Sequence, residues 1–313
     1  MAAGRGIGRS AIALAALIAA PSHALDITVQ PRASAGLQDY QLVFPDVIAA
    51  SPASNNPRIR DGFTIRDHLP FAGAGLTIGS GRLFVDLSGQ WSRTGEYQSF
   101  NAQGNQFDTL NGYNGVGLHN HYLDSRFSRH ELNAALGWAL SPNFSAYLGY
   151  KYAALSISQA RTPFLLPQPL PGDVLQFGSS LMDFSYHGYF LGTTYSLPVS
   201  SFGTLSVQAS IARLDASFRQ HFEGLLFTVD PLTGPPLLDP SLEDSTVRGS
   251  STGLNVGISW TGSFGVARNP VPRLTYTIGL DQSQYRFQAP VTDGDFEEKN
   301  TRVRIELRYR FGL

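Results

Sequence analysis

The sequence predicts an all-β protein, a transmembrane antiparallel β-barrel of ten strands, with twelve strands as the alternative. Three observations lead to this fold class. Segments with alternating apolar and polar residues recur along the 313-residue chain, and such alternation is typical of strands with one apolar face. Short connections alternate with long ones. After residue 24, no stretch holds about 20 consecutive apolar residues, which excludes a helical membrane protein.

The N-terminal segment 1–24 predicts a secretory signal peptide. Arg5 and Arg9 precede an apolar run, and small residues follow up to Ala24. We expect cleavage after Ala24, which leaves one barrel domain at 25–313. Cleavage changes the formal charge from −1 to about −3, which gives no support for a nucleic-acid partner. The sequence has no cysteine, so a disulfide framework is excluded.

The last strand shows the alternation most clearly. Its even positions from Arg302 to Arg310 are charged, and its odd positions from Val303 to Phe311 are apolar. Apolar residues also occupy alternate positions of 83–91, 132–138, 144–152, 205–211, 254–260 and 274–280. In chain order we place the strands at roughly 27–40, 68–79, 82–92, 128–140, 144–157, 182–197, 203–217, 250–262, 272–288 and 300–312.

The connections between these strands alternate in length. Short turns fall at 79–81, 141–143, 198–203 and 263–272, and long connections at about 41–67, 93–127, 158–181, 218–249 and 289–298. This pattern resembles bacterial outer-membrane β-barrel proteins, whose short turns are periplasmic and whose long loops are extracellular. The resemblance implies the outer membrane of a Gram-negative bacterium. It also implies contact with outer-membrane lipid, lipopolysaccharide and the outer-membrane assembly machinery.

Charged residues occupy the predicted lumenal faces. Eight strands are just filled by side chains, and open channels are typical of sixteen or more, so ten strands leave a narrow lumen. Either the charges form a paired network that fills the lumen, or surplus arginines line a path that favours anions. The lumen-facing candidates are Asp86, Glu131, Lys151, Arg273, Asp281, Arg302, Arg304, Glu306, Arg308 and Arg310.

Three predicted connections, 40–52, 163–177 and 222–240, are unusually apolar. They could pack together as a lid or plug, or form a site for a hydrophobic ligand or partner, since exposed apolar patches usually mark interaction surfaces. The acidic segment 292–300 could attract Ca²⁺ or Mg²⁺, but it lacks a full EF-hand pattern, and we predict no metal site. The candidates for ligand or partner contact are Phe164, Leu165, Leu166, Phe177, Leu225, Leu226 and Phe227.

The chain length and strand number resemble the omptin proteases, whose site includes an Asp-x-His motif. The sequence contains neither that motif nor the His-x-Ser arrangement of barrel lipases. We therefore predict no catalytic residue and no cofactor. The leading hypothesis is a small porin-like or channel-type barrel that passes or binds a small solute. The alternatives are a plugged structural or surface-interaction barrel and, third, an omptin-like hydrolase.

Overall fold

The computed structural model describes residues 27–44, 46–47, 63–108, 114–163, 174–199, 203–228, 237–264, 274–288, 292–293 and 295–312, so the predicted signal peptide lies outside the described residues. No helix in these ranges is long and apolar enough to cross a membrane. The strands are β1 (Ile27–Phe44), β2 (Asp46–Val47), β3 (Phe63–Ser80), β4 (Leu83–Ser92), β5 (Gly95–Asp108), β6 (Asn114–Ser141), β7 (Phe144–Pro163), β8 (Val174–Pro198), β9 (Thr204–Thr228), β10 (Leu237–Ser263), β11 (Leu274–Gln288), β12 (Thr292–Asp293), β13 (Asp295–Tyr309) and β14 (Phe311–Gly312).

Ten strands form a closed antiparallel barrel, as the sequence predicted. Strands β1, β3, β4, β6 to β11 and β13 pair in this order, and β1 pairs with both β3 and β13, which closes the sheet. Closure leaves the membrane-crossing part without an unpaired edge. The short hairpins at Gly81 and Ser141 lie at the same end as Ile27 and Phe311, and this end is called the turn end below.

The prediction of long connections was wrong in extent. Strand β5 pairs with β6 beyond the point where β4 ends, so it continues the line of β4 inside the predicted connection 93–127. Strands β8, β9 and β10 likewise run through much of 158–181 and 218–249. The hairpin of β5 and β6 therefore lengthens the barrel wall without adding a strand to its circumference, and the twelve-stranded alternative does not apply.

The two faces of the wall exchange character along the strands. In β11, Ile278 and Leu280 are exposed while Asp281 is buried; further along the same strand, Arg286 is exposed while Tyr285 and Phe287 are buried. Apolar side chains thus point outward near the turn end and inward near the opposite end. This reversal is explained if the part of the wall near the turn end faces lipid and the extension faces water. Lipid favours apolar outward side chains, and water favours polar ones.

The apolar outer band is a lipid-facing belt. It includes exposed Leu136, Leu148, Ile211 and Ile305, and exposed aromatic residues such as Trp91 and Trp138 lie toward its two borders. Aromatic residues at both borders of an apolar band are typical of membrane barrels.

Position along this belt should decide the cost of an added charge. The Ile278→Arg variant is expected to lower the free energy of unfolding by about 2–4 kcal/mol, since arginine would enter the hydrocarbon layer. Gln288→Arg, on the same face of β11 but beyond Arg286 and outside the belt, should cost at most about 1 kcal/mol. Urea unfolding of the barrel in lipid vesicles measures both. Equal costs for the two variants would show that the belt is misplaced.

The inward face of the extension forms an apolar core. Its members are Tyr40, Leu42, Ile65, Leu69, Phe127, Ala153, Leu155, Ile157, Met182, Phe184, Tyr186, Leu214, Ala216, Phe218, Val247, Tyr285, Phe287 and Phe296. Aromatic rings meet across the lumen: the centroid of Phe184 lies 5.2 Å from that of Phe287, and the rings of Tyr186 and Phe287 are 5.2 Å apart. Close packing of this kind fills the lumen beyond the lipid-facing belt.

Candidate lumenal site

Below the apolar core, eleven charged residues of the described ranges form a lumenal charge network. Six are cations and five are carboxylates: Arg32, Arg129, Lys151, Arg302, Arg304 and Arg308 with Asp86, Glu131, Asp281, Glu298 and Glu306. All come from inward positions of strands, where alternation places every second residue. Buried charges require such partners, because an isolated charge in the lumen would be costly.

The part of the network nearest the turn end centres on Arg32. Its guanidinium donates to both carboxylate oxygens of Asp86, with Nη1–Oδ1 at 2.5 Å and Nη2–Oδ2 at 2.7 Å. Thr77 donates to Asp86 Oδ1 at 2.6 Å. Arg32 Nε also lies 3.6 Å from Glu306 Oε2, and Arg308 donates to the same carboxylate. The forked pairing fixes the Arg32 side chain across three strands.

The deeper part centres on Glu131. Lys151 Nζ lies 2.8 Å from Glu131 Oε1, Arg129 Nη2 lies 2.9 Å from its Oε2, and Arg302 Nη1 lies 3.6 Å from its Oε1. Arg129 Nη2 also contacts Glu298 Oε1 at 2.9 Å. One carboxylate therefore serves three cations, and a second carboxylate shares Arg129.

The apolar core meets the network through tyrosines. The Tyr186 hydroxyl donates to Glu298 Oε1 at 2.9 Å and accepts from Arg129 Nη2 at 2.8 Å. Arg129 lies over the Tyr40 ring at 5.6 Å from its centroid, and Lys151 Nζ lies 5.2 Å from the Tyr285 ring centroid. These contacts join the charged layer to the aromatic layer above it.

A cavity of about 300 Å³ lies between the turn end and these charged and aromatic layers. Along the inward face of β13, the exposed fraction of the arginine side chains rises toward the turn end, from 10% at Arg302 through 26% at Arg304 to 34% at Arg308. The cavity therefore opens at the turn end and is closed at the other end by the buried network and the apolar core.

Aromatic rings shape the cavity wall beside glycines. The ring of Phe84 covers Gly137, and the ring of Phe190 covers Gly149, so closely that an added Cβ at either glycine would overlap the ring. The absence of a side chain lets each ring lie flat against the neighbouring strand. A larger residue at Gly137 or Gly149 would force the ring to move.

Some buried polar atoms on the cavity wall have no hydrogen-bond partner among the described residues. They are Arg302 Nε, Arg304 Nε and Asn255 Oδ1. Arg304 Nε forms an ion pair with Asp281 Oδ2 at 3.3 Å, but the groups are not aligned for a hydrogen bond. Gln208 Nε2 donates a hydrogen bond to the other carboxylate oxygen of Asp281, Oδ1, at 2.7 Å. Both Nε atoms are themselves buried, so Arg302 and Arg304 face the cavity with other atoms of their side chains.

The structure places eight sequence candidates on this wall: Asp86, Glu131, Lys151, Asp281, Arg302, Arg304, Glu306 and Arg308. Arg310 is instead exposed at the turn end, 3.5 Å from Thr28 Oγ1. Arg273 lies outside the described residues.

The sequence reasoning missed three members of the network. Arg32 follows Pro31 in a strand that alternates poorly. Arg129 shares the inward face of β6 with Glu131, so the alternation could have identified it. Glu298 lay in the segment considered for Ca²⁺, but it is buried in β13 and binds Arg129. No group of three or more metal-ligating His, Asp or Glu side chains occurs in the described ranges.

The apolar connection candidates have mixed outcomes. Phe164, Leu165 and Leu166 lie outside the described residues. Phe177 belongs to β8, and Leu225, Leu226 and Phe227 belong to β9, so these four positions are in strands and not in the predicted loops. The correction has the same physical reason as the longer wall, since the strands continue beyond the membrane band.

Similar solved structures share the architecture. No protein-family model matches the chain, and no curated protein sequence matches it significantly. The outer membrane protease OmpT from Escherichia coli matches with a TM-score of 0.55 and 11% identity, over 94% of this chain and 99% of OmpT. This chain has the outer-membrane β-barrel fold.

Weaker matches lie among other barrels. The translocator domain of the autotransporter NalP from Neisseria meningitidis has a TM-score of 0.35 and 9% identity, over 96% of this chain and 94% of that domain. A Pseudomonas aeruginosa FadL homologue has a TM-score of 0.26 and 12% identity, over 91% and 90% of the two chains. With TM-scores below 0.5, these two matches add nothing to what the comparison with OmpT shows.

Proposed function

We propose that this protein is a transport-type outer-membrane barrel that binds a small anion in its lumenal cavity, beneath the apolar core. The observation that carries this function is the charge of the cavity wall, on which five cations and four carboxylates of the described residues lie. Arg304 and Arg308 are the more exposed of the three network arginines on β13, so an anion that enters from the open end can contact them.

The net charge of the lumenal network favours an anionic ligand. The lumenal charge network holds six cations and five carboxylates. A ligand with one negative charge would balance the extra cation and accept hydrogen bonds from the exposed parts of the Arg304 and Arg308 guanidinium groups. The bidentate pair of Arg32 and Asp86 would remain intact beside it.

Size and access narrow the class of ligand. A volume of about 300 Å³ is at the lower end of the range for small-molecule sites, which favours a carboxylate or phosphate of a few heavy atoms. Entry is from the turn end, which faces the periplasm in bacterial barrels. Since the apolar core closes the other end, passage across the membrane would require that core to open.

Calorimetric titration of the refolded mature chain with acetate and with inorganic phosphate tests the binding. Arg304→Gln is expected to weaken binding of the preferred anion about tenfold, the cost of one charge-assisted hydrogen bond. Arg310→Gln removes an exposed arginine that is not part of the cavity wall and should leave the affinity unchanged. A folded chain that binds neither anion would contradict the proposal and favour a structural barrel with a plugged lumen.

A further inference from the structure

A row of polar residues crosses the outer surface where the lipid-facing belt ends. The strand register places Arg213 of β9 opposite Thr252 of β10, and Thr252 opposite Arg286 of β11. Residues paired in this way share one face of the sheet. Both arginines are exposed, and neighbouring strands are about 4.8 Å apart, so the two arginine backbones lie about 10 Å apart with the threonine between them.

An apolar floor lies directly on the turn-end side of this row. The adjacent outward positions are Ile211 on β9 and Leu254 on β10, both more than half exposed, with Leu191 and Leu148 beside them. Together with Arg213, Thr252 and Arg286, these residues line a groove of about 660 Å³ on the outside of the barrel. The groove therefore has an apolar section within the lipid-facing belt and a cationic section at its border.

The two arginines differ in their partners. Arg286 Nε lies 3.1 Å from Glu297 Oε1, and this carboxylate also accepts from Gln284 and Lys299. Burial acts to raise the pKa of Glu297, but the hydrogen bonds from these donors outweigh it and lower the pKa, so the carboxylate is ionised. Arg213 has only a 3.5 Å contact with Ser250 Oγ, and no ion pair among the described residues includes it.

We propose that Arg213, Thr252 and Arg286 bind a phosphate group of a phosphorylated glycolipid in the outer leaflet, with its acyl chains on the floor of Ile211 and Leu254. Two guanidinium groups can converge on one phosphate that lies over Thr252, whose hydroxyl donates a further hydrogen bond. An anionic lipid in the membrane requires a cationic group beside an apolar surface, and this groove provides both. A soluble phosphate has no acyl chains to contact the apolar floor. This site is on the outside of the wall and does not depend on the function proposed for the lumen.

Native mass spectrometry of the refolded mature chain in detergent tests the site, with bisphosphorylated lipid A as the probe. The wild type is expected to retain lipid A. The double variant Arg213→Gln with Arg286→Gln should bind it about a hundredfold more weakly, the cost of two charge-assisted contacts. Lipid A stripped of its phosphates should bind the wild type as weakly as the intact lipid binds the double variant.

A matched control is Arg66→Gln, which removes an exposed arginine of β3 that pairs with Asp39 at 3.2 Å, away from the groove. It should retain lipid A at the wild-type affinity. Equal binding by the double variant, or by the dephosphorylated lipid, would overturn the proposal. Displacement of lipid A by inorganic phosphate would assign the site to a soluble anion and overturn it as well. Heat-modifiable gel mobility shows that each variant has folded.

Discussion

Glu131→Ala is expected to lower the free energy of unfolding by about 3–5 kcal/mol, because it leaves buried cations without a carboxylate. Lys151, Arg129 and Arg302 all lie within 4.0 Å of Glu131, and its side chain is almost fully buried. Arg129 keeps Glu298 as a partner, but the salt bridge of Lys151 in the described lumen is to Glu131 alone. Urea unfolding of the barrel in vesicles, followed by tryptophan fluorescence, gives the value.

Two further variants identify the cause of this loss. Asp183→Asn removes an exposed carboxylate that accepts from Ser156 at 2.8 Å, and should change stability by less than about 0.5 kcal/mol. Glu131→Gln combined with Lys151→Met removes both charges of the closest pair, and should cost less than Glu131→Ala alone. If Glu131→Ala costs no more than Asp183→Asn, the network does not stabilise the barrel.

Replacing both Phe184 and Phe287 with alanine is expected to turn a silent barrel into a conducting one. The two rings meet at 5.2 Å in the apolar core, and Phe296 stacks on Phe184 at 6.2 Å. A packed aromatic layer excludes water and ions, so the wild type should show no conductance steps in a planar bilayer. Removal of two rings lets water join the cavity to the far end of the lumen.

Stability must be followed in the same experiment, because each Phe→Ala change in a packed core costs about 3–5 kcal/mol. Phe144→Ala is the matched control, since Phe144 is exposed on the outside of the wall and should leave the bilayer silent. Conductance of the wild type would contradict the apolar core as the barrier. A folded double variant that stays silent would place the barrier elsewhere in the lumen.

Alternation along the sequence was sufficient for the strand number, since each membrane-crossing segment keeps one apolar face. It also brought Asp86, Glu131 and Asp281 together on lumenal positions, because every second residue of a strand faces the same side. The cation that pairs with each carboxylate could not be predicted, because the pairing register of ten strands cannot be derived from the sequence of any single strand. Glu131 meets Lys151 twenty positions away, but Glu298 meets Arg129 only because the barrel closes.

The alternation of apolar and polar residues could not predict the apolar core. A period of two shows that a strand has two faces and does not show which face is inside. On β8 the inward positions Phe184 and Tyr186 are buried, but the outward positions Leu181, Tyr189 and Leu191 are just as apolar. Only the curvature of the closed wall decides between the two faces, and that curvature depends on contacts distant in sequence.

The exchange of faces along the wall also fixes how deep the barrel sits in its bilayer. On each of four adjacent strands the outward residues change from apolar to polar in the direction away from the turn end: Ile211 to Arg213, Leu254 to Thr252, Leu280 to Gln282 and Val303 to Thr301. A shift of the protein along the membrane normal in either direction would expose apolar side chains to water or immerse arginine in hydrocarbon. The outward residues of these strands therefore hold the barrel at one depth in the bilayer and oppose its movement along the membrane normal.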